Sequence, residues 1–305
     1  MVLGFCLERI KRYFKNKKRE GIAMKIGIII PAYQAESTII RCISSLAQQT
    51  FQAYEIIVID DGSTDSTPQL LERLSQQVSN LIVIHQQNMG AIDARLNGIQ
   101  LATGDYVLFI DSDDWISSNA LELLNQIAEV DQSDVILFHA YLVSGQAGYP
   151  FNLYKPNCEL VIMNPLKAFF NREIGGYICG KMIKLSFIQD KGIQFPHDSS
   201  YGEDVAMFYS IFMHNPSISC CNEYLYYYVK TTKVIPSYCL DIMKSIEFIG
   251  EQLKCQGLYK EYEDDYQLLG TRYFIETYNQ IQDNQELQTE LFILYKTWNK
   301  NHFLS

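Results

Sequence analysis

Four short apolar runs limit what this chain can fold into: KIGIII (25–30), EIIVID (55–60), LIVIH (81–85) and GDYVLFID (104–111). Each has the length of a strand and little polar alternation, the pattern of strands covered on both faces. Segments with apolar residues at helical spacing lie between them. ESTIIRCISSLAQQ (36–49) places Ile39, Ile40, Ile43, Leu46 and Ala47 on one side. PQLLERLSQQV (68–78) opens on Pro68, whose missing N–H is harmless in a first helical turn, and AIDARLNGIQLA (91–102) follows. SNALELLNQIAEV (118–130) and DVILFHA (134–140) add another helix and strand. The alternation predicts a doubly wound α/β fold, with a mainly parallel central sheet flanked by helices.

In such sheets ligands sit outside the carboxyl ends of the strands. Here those ends read PAYQ, DDGSTD, HQQN and DSDD. Beyond residue 150 the pattern loosens. VIMNPLKAFFN (161–171) and GEDVAMFYSIFMH (202–214) read as helices, EYLYYYV (223–229) as a strand, and 241–300 as helices with Gly257 and Gly270 as turn signals. The expected organisation is a basic extension at 1–23, an α/β domain at 24–235 and a C-terminal helical region at 236–305. Within the α/β domain, 24–140 carries the regular strand–helix alternation and 141–235 the looser remainder.

Charge and cysteine usage exclude several classes. The net charge of −10 argues against nucleic-acid binding, because phosphate contacts need Lys and Arg. Residues 1–20 run the other way, with seven Lys/Arg against Glu8 and Glu20. That leader has two readings. It is a solvated extension, with Met24 as the true start, or a basic interfacial helix carrying Phe5, Leu7, Ile10, Tyr13 and Phe14 as its apolar stripe. The second would give peripheral contact with the inner face of a membrane. Eight scattered cysteines without a C-x-x-C pair point to a reduced, cytoplasmic setting rather than disulfides or zinc. No stretch approaches the roughly 20 apolar residues needed to span a bilayer.

Two acidic clusters carry the chemistry. In DSDD (111–114), Asp111 and Asp113 can converge on one hard cation, Mn2+ or Mg2+, which takes only one or two protein carboxylates when substrate phosphates complete its shell. The alternative makes them turn residues, with Asp114 as a helix cap. In DDGSTD (60–65), Asp60 and Asp61 terminate a strand at the permissive Gly62. An Asp there can instead accept the imide N–H of uracil while Tyr33 stacks on the base. Arg95 can pair with Asp61, reach phosphate, or form a surface ion pair. Glu203 and Asp204 open an apolar helix as ordinary N-terminal charges, or supply a general base. GGYICGKM (175–182) imitates a phosphate loop, but Met182 stands where Ser or Thr would hold magnesium.

Taken together, IIPAYQAESTIIRCISSLAQQTFQAYEIIVIDDGSTDST, NMGAIDARLNGIQLATGDYVLFIDSDDW and GEDVAMF closely resemble the family 2 inverting glycosyltransferases of the A-type (GT-A, Rossmann-like) fold, over residues 24–230. The resemblance implies transfer of a sugar from a nucleotide-sugar, most often a UDP-sugar, to an acceptor hydroxyl with inversion. It places Pro31, Tyr33 and Asp61 on the base with Arg95 close by, and Asp111 toward ribose and metal. Asp113 would be the principal metal ligand, and Asp204 the base with Glu203 adjacent. Gln34 departs from the Asn common after the Tyr. The absence of a QxxRW segment and of a spanning helix favours a single-sugar transferase over a polymerase. A saccharide or lipid-linked saccharide would be the acceptor, in cell-surface polysaccharide or glycolipid synthesis. The C-terminal helices would form a lid or a surface for homo-oligomers. Two rivals stand beside this. A sugar nucleotidyltransferase would need a Gly-rich basic loop after the first strand, which PAYQAEST lacks. A catalytically silent sugar-nucleotide-binding scaffold sits poorly with intact DSD and ED clusters.

Overall fold

The computed structural model describes residues 24–155, 163–197, 199–230 and 236–303. The membrane-facing reading of residues 1–23 lies outside them. The chain divides into two compact units.

The first unit holds residues up to 162 together with 178–192 and 216–230. Its strands are β1 (Ile26–Ala32), β2 (Tyr54–Asp61), β3 (Leu81–Gln86), β4 (Tyr106–Phe109), β5 (Trp115–Ile116), β6 (Val135–Ser144), β7 (Ala147–Phe151), β8 (Lys181–Lys184) and β9 (Ile218–Val229). They form one sheet in the order β3-β2-β1-β4-β8-β6-β9-β5, with β7 hydrogen-bonded to β6. The β3-β2-β1-β4 half is parallel throughout, so the four strand ends singled out above lie along one edge. Beyond β4 the sheet is mixed: β8 runs antiparallel to both β4 and β6, and β9 runs parallel to β6.

The helices α1 (Ile39–Ala47), α2 (Thr67–Ser75), α3 (Ala91–Leu101), α4 (Ala120–Asp131) and α6 (Leu185–Asp190) belong to this unit; α5 is described with the second. Helix α1 buries Ile39, Cys42, Ile43 and Leu46 as an i, i+3, i+4, i+7 face; Ile40 and Ala47, read as part of the apolar side, are exposed, and Cys42 takes their place. β1 runs through Pro31 instead of stopping before it. The β1–β4 ladder ends at Ile29–Phe109, so a residue without an N–H sits where that neighbour is already lost. The G-K of the imitation phosphate loop leads into β8, with Lys181 buried in the sheet and no Gly-rich turn into a helix.

The second unit gathers 163–177, 193–215 and 231–305, a division that cuts across the expected boundary at 235. It contains α5 (Pro165–Phe170), α7 (Glu203–Phe212), a 3-10 turn at Pro236–Asp241, α8 (Ile242–Cys255), α9 (Glu263–Gln280) and α10 (Gln285–Phe303). Lys167 on α5 donates to both carboxylate oxygens of Asp265 on α9, at 2.8 and 2.6 Å. The Trp298 indole N–H donates to the Tyr266 hydroxyl at 2.8 Å, and that hydroxyl donates to the Ile246 carbonyl at 3.0 Å, tying α10, α9 and α8 together. Gly257 ends α8 with φ +70°, as a turn glycine should. Gly270 does not mark a turn. It lies inside α9 under the Trp298 ring, where a Cβ would come within 2.2 Å of the indole. Among the described residues, no helix is long and apolar enough to cross a membrane.

Gly98 plays the same packing role in α3. A Cβ there would meet the Ile29 γ-methyl of β1 at 2.3 Å. Alanine would gain about 1 kcal/mol of helix propensity but face roughly 1–3 kcal/mol of overpacking against a β-branched strand residue. Gly98→Ala is therefore expected to lower the thermal midpoint; an unchanged or higher midpoint would show that β1 and α3 are not in tight contact.

Candidate active site

The site is assembled from loops leaving the parallel strands. Tyr33 follows the last residue of β1 and is 54% exposed, its ring open to solvent. The next residue, Gln34, adopts φ +52°, a left-handed conformation that Asn accepts more readily than most residues. Its amide clamps the DDGSTD loop: the side-chain Oε1 accepts the N–H groups of Thr64 at 2.8 Å and Asp65 at 3.1 Å. The departure from Asn therefore sits in a loop-to-loop tether.

Asp60 and Asp61 end β2, and both are buried. Asp61 accepts from the Gln86 amide and the Met89 N–H on one oxygen and the Gly90 N–H on the other, each at 2.8 Å. Those bonds use three of about four acceptor positions on a carboxylate, leaving one for an incoming donor. Asp60 accepts from the Ser63 N–H at 3.2 Å and faces the His85 ring at 2.7 Å. Gly62 turns between these groups with φ +74°; a Cβ would lie 2.8 Å from the Asn88 nitrogen, so glycine is required on both counts.

Arg95 projects from α3 and is buried. Its guanidinium donates to Asp111 Oδ1 at 2.9 Å, joining the third and fourth strand exits. Of the three carboxylates in DSDD, each has a different environment. Asp111 is paired with Arg95. Asp114 is wholly buried and does not cap a helix, contrary to expectation: its oxygens accept the Tyr226 hydroxyl at 2.7 Å and the Val229 N–H at 2.7 Å, both on β9. Burial, then Asp111 and Asp113, push its carboxyl upward. Asp113 is half-buried, and no other residue's side chain hydrogen-bonds its carboxylate among the described residues. Burial first, and Asp111 second, push Asp113 up to about 6.

Arg41 on α1 holds the backbone here. Its guanidinium donates to the Asp113 carbonyl at 2.5 Å and lies 4.2 Å from the centroid of the Trp115 ring. Neither Arg41 nor Tyr226 was marked by a sequence motif; each lies far along the chain from the residues it contacts. Glu203 and Asp204 occupy the first turn of α7 in the second unit, following Gly202 at φ +77°. Both are half-buried.

Among the described residues, no three or more His, Cys, Asp or Glu side chains gather to hold a metal ion by themselves. The donor set still suits a hard cation. Magnesium and manganese sites that serve phosphates use one or two carboxylates and leave the remaining positions to water and substrate oxygen. Asp113 is a carboxylate without a donor beside a second, Asp111, at the ligand-binding edge of a parallel sheet.

The comparisons with known proteins bear on the same segment. Residues 27–183 match the model of "Glycosyl transferase family 2". The chain belongs to that family. A poly(ribitol-phosphate) beta-glucosyltransferase of Bacillus spizizenii is 34% identical over 210 residues, covering 68% of this chain and 32% of the relative. A cholesterol galactosyltransferase of Borreliella burgdorferi is 27% identical over 268 residues, 83% of this chain and 73% of the relative. The crystal structure of Staphylococcus aureus TarS 1-349 in complex with UDP superposes with a TM-score of 0.60 at 26% identity, covering 75% of this chain and 65% of TarS 1-349. The chain thus spans about a third of the length of the Bacillus relative, and it shares the GT-A fold of the family.

His85 supplies a test of the nucleotide-side network. Its two ring nitrogens face Asp60 at 2.7 Å and Glu72 at 3.0 Å, so the doubly protonated ring satisfies both. Those hydrogen bonds to Asp60, then Glu72, raise its pKa above 6.5. A raised folded-state pKa gives stability that is present below the unfolded value and lost as pH climbs through the folded one. The thermal midpoint of His85→Gln should therefore fall short of wild type by more at pH 6 than at pH 8.5. Equal gaps at the two pH values would remove His85 from the network.

Proposed function

We propose that this chain is an inverting glycosyltransferase that moves a single sugar from a nucleotide-sugar, a UDP-sugar, to an acceptor hydroxyl in the synthesis of a cell-surface polysaccharide or glycolipid. The observation that carries the reading is the acidic turn after β4, where Asp111 is paired with Arg95 and Asp113 is left open at the carboxyl edge of the sheet. Membership of glycosyl transferase family 2 and the UDP named in the TarS structure support a nucleotide-diphosphate donor.

In this reading the exposed Tyr33 ring stacks on the base, beside Pro31, and the remaining acceptor position of Asp61 takes the imide N–H. Asp60 holds the loop that Asp61 leaves. Arg95 holds the Asp111 carboxylate oriented toward the ribose. Asp113, with Asp111, would hold Mn2+ or Mg2+, which when bound neutralises the diphosphate leaving group. Asp204, with Glu203 next to it, takes the proton of the acceptor hydroxyl as that oxygen bonds to the anomeric carbon and the bond to the nucleoside diphosphate breaks. The acceptor would be a saccharide or lipid-linked saccharide.

Two substitutions separate these roles. Asp113→Asn removes a carboxylate that burial and Asp111 already disfavour, so the thermal midpoint should hold or rise while manganese-dependent turnover of UDP-sugars disappears. Turnover at the wild-type rate in the presence of EDTA would refute the assignment. Asp204→Asn should lower transfer by about 10²–10⁴-fold, the usual worth of a general base, while UDP affinity stays within twofold. A parallel fall in UDP affinity would instead mark Asp204 as a helix-terminal charge. If wild type binds UDP yet turns over no UDP-sugar with any saccharide acceptor, the silent-scaffold alternative replaces the proposal.

A further inference from the structure

Tyr226 sits on β9, 115 residues along the chain from the Asp111 nitrogen it meets. Its side chain is fully buried. A phenylalanine would fill the same apolar volume, so the hydroxyl needs a reason of its own. Both of its capacities are used on one target. It accepts the Asp111 N–H at 3.1 Å and donates to Asp114 Oδ2 at 2.7 Å. The other Asp114 oxygen accepts the Val229 N–H at 2.7 Å, also from β9. The Asp114 N–H returns to the Asp111 carbonyl at 3.0 Å, closing the turn on itself.

One hydroxyl therefore grips the acidic turn at its first and fourth residues, with Asp113 between the two grips. β5 continues the attachment, because Trp115 pairs with Tyr227 and Ile116 with Tyr226. Trp115 also stacks on Tyr227, with ring centroids 5.1 Å apart and planes inclined by 9°. The turn is consequently pinned from β9 along its length. Without the hydroxyl, the Asp111 N–H and one Asp114 oxygen would each lose a buried partner, and the turn between β4 and β5 would be free to relax.

We infer that Tyr226 is a positioning residue for the cation-binding corner: by holding Asp111 and Asp114 it fixes the separation and direction of the Asp111 and Asp113 carboxylates. The inference rests on the reading that those two carboxylates hold a divalent cation together with the nucleotide. Asp114 then belongs to the latch and not to the ligand set, which accounts for a third aspartate in a turn that needs two.

The test uses the full chain and its Tyr226→Phe variant. Free Mn2+ is titrated by electron paramagnetic resonance at saturating UDP, UDP affinity is measured calorimetrically without metal, and the melting profile is recorded. The variant should bind Mn2+ about tenfold more weakly, as expected for loss of a buried hydrogen bond, while metal-free UDP affinity and a cooperative melt persist. Wild-type Mn2+ affinity in the variant overturns the inference. So does an equal loss of metal-free UDP affinity, the sign of a merely structural role. If Tyr226→Phe does not fold, Asp114→Ala, which removes the acceptor of the Tyr226 hydroxyl, carries the same measurement, with the same weakening expected and unchanged Mn2+ affinity again overturning it. A wild-type chain that binds UDP but no Mn2+ would defeat the cation reading itself, an outcome distinct from failure of the latch.

Discussion

The ion pair between Arg95 and Asp111 is the contact on which the arrangement of this site turns. A buried guanidinium is costly without a charged partner, and Arg95 lies beneath the surface with its partner at 2.9 Å. The pair joins α3, which follows β3, to the loop that follows β4. It also settles the electrostatics of a turn bearing three carboxylates in four residues. One is neutralised by Arg95, and one is turned inward onto Tyr226 and Val229. Asp113 is the carboxylate that no side chain hydrogen-bonds among the described residues; burial and Asp111 raise its pKa, outweighing the lowering by the Arg41 guanidinium. A turn built this way has one open negative corner instead of three competing ones.

The surrounding fold explains why such a corner can exist. Four parallel strands bring their carboxyl ends to one edge, so loops distant in sequence become neighbours there. Those loops are cross-tied by side-chain hydrogen bonds, from the buried Asp61 and from Gln34 and Arg41 nearer the surface. Gln34 binds the DDGSTD loop, Asp61 binds the Met89–Gly90 turn, and Arg41 binds the Asp113 carbonyl. Family membership and the GT-A fold shared with TarS fit this geometry of the parallel edge.

The parallel half was legible because its strands are apolar on both faces and its helices keep a 3.6-residue period. Local repetition of that kind survives in the sequence. What was hidden depended on contacts across the fold. Gly270 read as a turn signal, yet its small size serves the Trp298 ring lying on α9. Asp114 read as a cap because caps are local, whereas its partners are on β9. β7 and β8 escaped notice because short antiparallel strands at 147–151 and 181–184 show neither clear alternation nor a long apolar run. The motif carboxylates were visible as types, but which of them was paired, buried or open depended on where the fold places Arg95, Arg41 and Tyr226, and spacing along the chain does not give that.

The central claim is that Asp113 is the open ligand of a cation carried with the nucleotide. A crystal of the full chain soaked with MnCl2 and UDP, with anomalous data collected at the manganese edge, tests it directly. The account predicts an anomalous peak bonded to the Asp113 carboxylate and to a diphosphate oxygen. Ordered UDP with manganese bound elsewhere, or with Asp113 turned away from an occupied manganese site, would contradict it.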